Sequence, residues 1–107
     1  SPWEVALENY KVGDTVEKEI KNIMDFGLFV NLSKGIDGFI PAQLASKDFI
    51  KNLKDKFTVG QKVKAQITEI DREKQRIKLS IKKIEIEEER RENQELLSKY
   101  GTSGEDR

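Results

Sequence analysis

A twelve-residue pattern occurs twice in this chain. Val12-Gly13-x-x-Val16-x-x-x-Ile20-x-x-Ile23 returns 47 positions later as Val59-Gly60-x-x-Val63-x-x-x-Ile67-x-x-Ile70. Each copy reads as a glycine turn that opens a long strand. Neither keeps strict alternation, because the steps from Ile20 to Ile23 and from Ile67 to Ile70 change parity. That shift predicts a bulge or strong coil in each strand. Two similar barrel strands would produce the pattern as readily as a duplication.

Three further strand signals lie around these two. Phe26–Leu32 places Leu28, Val30 and Leu32 on one face and Phe29 on the other. Lys34-Gly35 makes a turn into Ile36–Ile40, which stops at Pro41. Arg76–Lys82 alternates Ile77, Leu79 and Ile81 with Arg76, Lys78, Ser80 and Lys82. Pro41–Leu44 reads as a turn or short helical piece, and Ser46 as the N-cap of a brief helix reaching Leu53. Five strands in about 70 residues fit a small closed barrel, since closure removes exposed edges.

The expected fold is therefore all-β: a five-stranded barrel over residues 11–83 with a helical insertion after strand three. Residues 1–10 form a short linker helix, with Ser1 and Glu4 as a capping box, Pro2 at the first position and Trp3 to dock it. Residues 84–107 form a charged C-terminal helix to about Tyr100, then a flexible end. Ser1 in place of a start methionine fits a piece of a longer protein.

The formal net charge of zero averages over unlike parts. Residues 11–83 carry 16 basic and 10 acidic side chains, net +6, while residues 84–107 are net −4. A basic body suits a polyanion partner. The absence of Cys and His removes thiolate and imidazole chemistry and Cys/His zinc sites. Glu69, Asp71 and Glu73 lack a recognised metal spacing, so no metal, no cofactor and no enzyme activity are expected. No apolar run is long enough to cross a bilayer, so neither membrane contact nor any setting but the cytoplasm is expected.

Single-strand binding needs aromatic faces for bases and cations for phosphates. Alternation leaves Phe29 open between core and surface and gives Phe26 core parity, unless Gly27 bulges it outward. Phe39, Phe49 and Phe57 read as core or helix-packing residues. Lys18, Lys21, Lys78 and Arg76 are the candidate cations; Asp71 either contacts a base edge or ribose hydroxyl, or bonds its own hairpin.

Asp25-Phe26-Gly27-Leu28-Phe29-Val30, Gly35-Ile36-Asp37-Gly38-Phe39-Ile40, Val59-Gly60-Gln61-Lys62-Val63, Ile70-Asp71-Arg72 and Arg76-Ile77-Lys78-Leu79-Ser80-Ile81-Lys82 occur in this order. Together they resemble the S1 RNA-binding domain family. The resemblance implies an S1-type OB-fold barrel that binds single-stranded RNA, including mRNA, across one face. It implies Phe26, Phe29, Asp71 and Arg76 as binding positions, and puts Pro41 where the family often has His. Ser1-Pro2-Trp3-Glu4 resembles the linker before repeats of the ribosomal members, which implies a late repeat of such a chain acting in translation. The small ribosomal subunit and adjacent S1 repeats are then the expected partners. The alternative is a repeat that docks protein, with little RNA contact of its own.

Overall fold

The computed structural model describes residues 2–33 and 35–100. The Ser1–Glu4 capping box, the turn at Lys34 and the end from Gly101 rest on residues outside these. The elements are α1 (Pro2–Asn9), β1 (Thr15–Met24), β2 (Gly27–Ser33), β3 (Ile36–Pro41), a 3-10 turn (Ala42–Leu44), α2 (Leu53–Lys56), β4 (Lys62–Asp71), β5 (Arg76–Ser80) and α3 (Ile81–Lys99). The strands close a barrel in the order β1-β2-β3-β5-β4. Every adjacent pair is antiparallel except β3–β5, a parallel pair whose register is Gly38 with Ile77 and Phe39 with Lys78.

The repeated pattern has a structural meaning. β1 and β4 lie antiparallel, and their equivalent residues bond each other reciprocally. Gly13 N–H donates to the Ile67 carbonyl (2.8 Å) and Gly60 N–H donates to the Ile20 carbonyl (2.8 Å). Ile67 N–H reaches Asp14, and Ile20 N–H reaches Gln61, both at 2.8 Å. Both glycines have positive φ, +99° and +94°, a region that disfavours any Cβ. The predicted irregularities follow the same symmetry, at Ile20/Asn22 in β1 and at Ile67/Glu69 in β4. The recurrence is thus explained by two strands sharing one local two-fold.

Alternation fills the barrel. Leu28, Val30 and Leu32 of β2, Ile36 and Ile40 of β3, Val63, Ala65 and Ile67 of β4, and Ile77 and Leu79 of β5 are all buried. Each large aliphatic side chain so buried stabilises the fold by about 1.5–3 kcal/mol. Trp3 and Ala6 join this core, so α1 is fastened to the barrel. The Tyr10 hydroxyl donates to the Leu32 carbonyl at 2.9 Å.

Three local expectations are corrected. Strand five ends at Ser80, two residues early, and Ser80 is fully buried instead of outward-facing. Its Oγ accepts the Lys83 N–H (3.0 Å) and caps α3. Hydroxyl capping stops the strand and turns Ile81 inward as the first helical residue. Ser46 does not cap a helix; its Oγ accepts the Asp48 N–H at 3.1 Å in a local turn. The short helix comes later, with Asn52 as its cap: the Asn52 side chain accepts the Lys54 N–H at 3.0 Å.

Helix α3 has little apolar surface of its own and is held through its acidic side chains. Glu85 Oε1 accepts the Lys47 N–H (2.8 Å) and the Ser46 hydroxyl (3.1 Å). Glu88 approaches Lys64 (4.0 Å), and Glu89 approaches Lys47 (3.6 Å). Asp48 first, then Glu89, raise the Lys47 ammonium above its ordinary pKa. The last turns leave Leu96, Leu97 and Tyr100 exposed. Among the described residues, no helix is long and apolar enough to cross a membrane.

Candidate nucleic-acid interface

The β1–β2 turn ends at Phe26, outside the strand ladder, and this frees the ring from strand parity. Phe26 is 58% exposed. Phe29 follows on the outer face of β2, and its register partner on β3 is Phe39. The three rings form one cluster. Centroids lie 5.0 Å apart for Phe29–Phe39, 5.8 Å for Phe26–Phe39 and 6.1 Å for Phe26–Phe29. The Phe26–Phe29 pair is edge-to-face, and the other two are tilted, geometries that aromatic quadrupoles favour.

Phe39 was expected in the core and is instead half-buried at the centre of this cluster. The cause is Gly27, over which the ring lies. A Cβ at Gly27 would come within 2.5 Å of the Phe39 ring and would strike the Ile40 carbonyl. A diagonal cross-strand aromatic covering a glycine is a recurrent sheet device. Phe57 is buried as expected, whereas Phe49 stands 90% exposed.

The cluster lines an open cleft of about 630 Å3 that also takes in Asp37, Gln75 and Arg76. A second cleft of about 310 Å3 shares Phe39, Arg76 and Ile77 with the first and extends to Asp71, Lys74 and Lys78. The two form one groove, crossed by Arg76. That guanidinium makes no ion pair among the described residues. An unengaged guanidinium beside aromatic rings can pair with a phosphate or stack on a base.

The remaining candidate residues fall unequally around the groove. Asp71 Oδ1 accepts the Lys74 N–H at 3.0 Å, so this carboxylate does brace its own hairpin. The hairpin ends at Gln75 in the left-handed region, φ 55°, immediately before Arg76. Lys78 lines the groove and pairs with Glu69 at 3.3 Å. Lys21 reaches the rim through Asp37, at 3.0 Å. Lys18 is not brought to the groove; its ammonium lies 5.9 Å from the Tyr10 ring centroid. Glu88 and Glu89 of α3 pair with Lys64 and Lys47, neither of which lines the groove.

The family model for the S1 RNA binding domain matches residues 7–82. The chain is 67% identical over 103 residues, 96% of its length, to a Fusobacterium nucleatum protein named 4-hydroxy-3-methylbut-2-enyl diphosphate reductase. It is 41% identical over 88 residues, 79% of its length, to small ribosomal subunit protein bS1 of Rhodopseudomonas palustris. It spans only 12% and 15% of those two proteins. Among solved structures, it is similar to a chain of the a/eIF2alpha-aDim2p-rRNA complex from Pyrococcus horikoshii. The TM-score is 0.67 at 26% identity, covering 81% of this chain and 53% of that one. The expectation of no enzyme does not stand, because the 67% identical relative is named as one. The missing Cys and His describe a chain that matches 12% of that relative, and they say nothing of the chemistry in the rest of it.

Proposed function

The chain belongs to the S1 RNA-binding domain family, and from that premise we propose that its Phe26–Phe29–Phe39 groove binds single-stranded RNA by base stacking, with phosphate pairing at Arg76. The observation that carries this is three contiguous rings, Phe26 exposed and Phe29 and Phe39 half-buried, lining an open cleft beside an unengaged guanidinium. Stacking contributes about 1–3 kcal/mol per base, and every base has a face to stack. Phe39 is a third platform in a chain that has Pro41 where the family often has His. Lys78 and Lys21 are secondary, since each must leave a carboxylate to meet a phosphate.

The test is a fluorescence-anisotropy titration of the chain with single-stranded RNA. Phe29→Ala weakens binding by about 5-fold or more, from the lower end of the stacking range. Arg76→Ala lowers the dependence on salt by about one phosphate contact. Equal affinity of the wild type and a folded Phe29→Ala variant overturns the reading.

Two settings suit such a module. Likeness to bS1 supports a repeat working in translation on the ribosome, in the cytoplasm. The higher identity to the Fusobacterium protein favours a parent chain that also carries a diphosphate reductase. Assay of the full-length parent for reduction of 4-hydroxy-3-methylbut-2-enyl diphosphate separates them, because a ribosomal repeat protein would show none.

A further inference from the structure

Phe49 is the most exposed large apolar side chain among the described residues, at 90%. It sits on the loop after the 3-10 turn, and that loop is held in place. The Lys47 N–H and the Ser46 hydroxyl both bond Glu85 of α3, and the Asp48 N–H bonds Ser46. The ring is therefore presented by an ordered segment. Beside it is a cleft of about 350 Å3, which also takes in Ala42, Gln43, Lys47 and Lys82. Lys82 makes no ion pair among the described residues.

This cleft adjoins the aromatic groove. The Ala42 N–H donates to the Phe26 carbonyl at 2.9 Å, so the wall of one is bonded to the wall of the other. We infer that Phe49 and Lys82 form an outlying subsite for the same RNA strand: a base leaving the groove past Phe26 stacks on Phe49, and its phosphate meets Lys82. This rests on the groove reading above. A protein partner fits the feature less well. Apolar docking patches are contiguous, on the order of hundreds of Å2, whereas Phe49 has only Ala42 and Ile50 as apolar neighbours in the cleft, among Gln43, Ser46, Lys47, Asp48 and Lys82. Lys47 is engaged by Asp48 and Glu89, which leaves Lys82 as the cation, and an exposed ring beside one such cation is what a stacked nucleotide uses.

The subsite makes affinity depend on length. RNA of about 4 nucleotides occupies the groove alone, and RNA of about 10 nucleotides reaches Phe49 as well, within the range of site sizes of OB folds. Phe49→Ala then weakens the longer RNA about 5-fold and leaves the shorter unchanged. Lys82→Gln reduces the salt dependence for the longer RNA only. Phe29→Ala, measured alongside, loses affinity at both lengths; if it does not, the groove reading fails independently. With the groove intact, a Phe49→Ala variant that matches the wild type at both lengths overturns the subsite and turns the ring over to a protein surface. An equal loss at both lengths overturns it too. Phe49 is too exposed for its removal to threaten folding.

Discussion

Replacing Gly27 by alanine joins the fold and the groove in one experiment. The added Cβ would lie 2.5 Å from Cε1 and 2.7 Å from Cζ of Phe39, and against the Ile40 carbonyl. The ring can swing aside, but the carbonyl belongs to the β2–β3 ladder and can move only with the strand. Overpacking of this kind costs about 1–3 kcal/mol. The φ of Gly27 is not positive, so the smaller entropy of the unfolded chain returns about 0.4–1 kcal/mol. The net expectation is a loss of about 1–2 kcal/mol. With a urea slope of about 1–3 kcal/mol/M, the midpoint falls by about 0.3–2 M. RNA affinity of the folded protein falls as well, because the Phe39 ring is pushed from its place. A double-mutant cycle with Phe39→Ala isolates the ring: Gly27→Ala costs less in that background, with coupling beyond the ~0.5 kcal/mol expected of independent sites. An unchanged urea midpoint with unchanged RNA affinity would refute the argument, and strict additivity would refute its assignment to Phe39.

Three other outcomes are expected. Ser80→Ala removes the cap of α3 and lowers stability by about 1 kcal/mol, read as a urea shift with helical signal lost first. Glu85→Ala leaves the Lys47 amide and the Ser46 hydroxyl without their acceptor, a loss of about 1–3 kcal/mol accompanied by faster hydrogen exchange at Lys47. For pH, the Lys47 pKa is raised in the fold by Asp48 and then by Glu89. Its contribution is complete below the unfolded value of 10.5 and disappears as pH climbs through the higher folded value. Lys47→Met therefore reduces the loss of stability above that point; an identical alkaline profile would exclude the contribution.

The barrel was legible because burial imposes a period. Leu28, Val30 and Leu32 declare an inner face, and the shifted parity at Ile20–Ile23 and Ile67–Ile70 declares the two bulges. Phe39 was not legible, because its place depends on a missing side chain one strand away: nothing near Phe39 shows that Gly27 leaves room for its ring. Ser80 misled for another reason. Alternation continues through Ile81, but capping a helix outweighs one more rung of ladder. Phe49 was read as a core or helix-packing residue because aromatics usually are, and its loop is instead tied by Ser46 and Lys47 to a helix some 40 positions later. The binding roles proposed for Phe26 and Phe29 rest on family likeness, since parity alone placed Phe26 in the core.

The parallel β3–β5 pair sets when this groove can exist. Its register joins Gly38 to Ile77 and Phe39 to Lys78, so residues 39 positions apart must meet. That seam has two register pairs, fewer than any other in the barrel. Closing a long loop for few contacts is a slow, late event in folding. Phe26, Phe29 and Phe39 stand on one side of the seam and Arg76 on the other. A chain still emerging from synthesis can gather its three rings once β3 has formed. It lacks the Arg76 guanidinium beside them until β5 arrives, so capture of RNA by the proposed groove would report that the β3–β5 seam has closed.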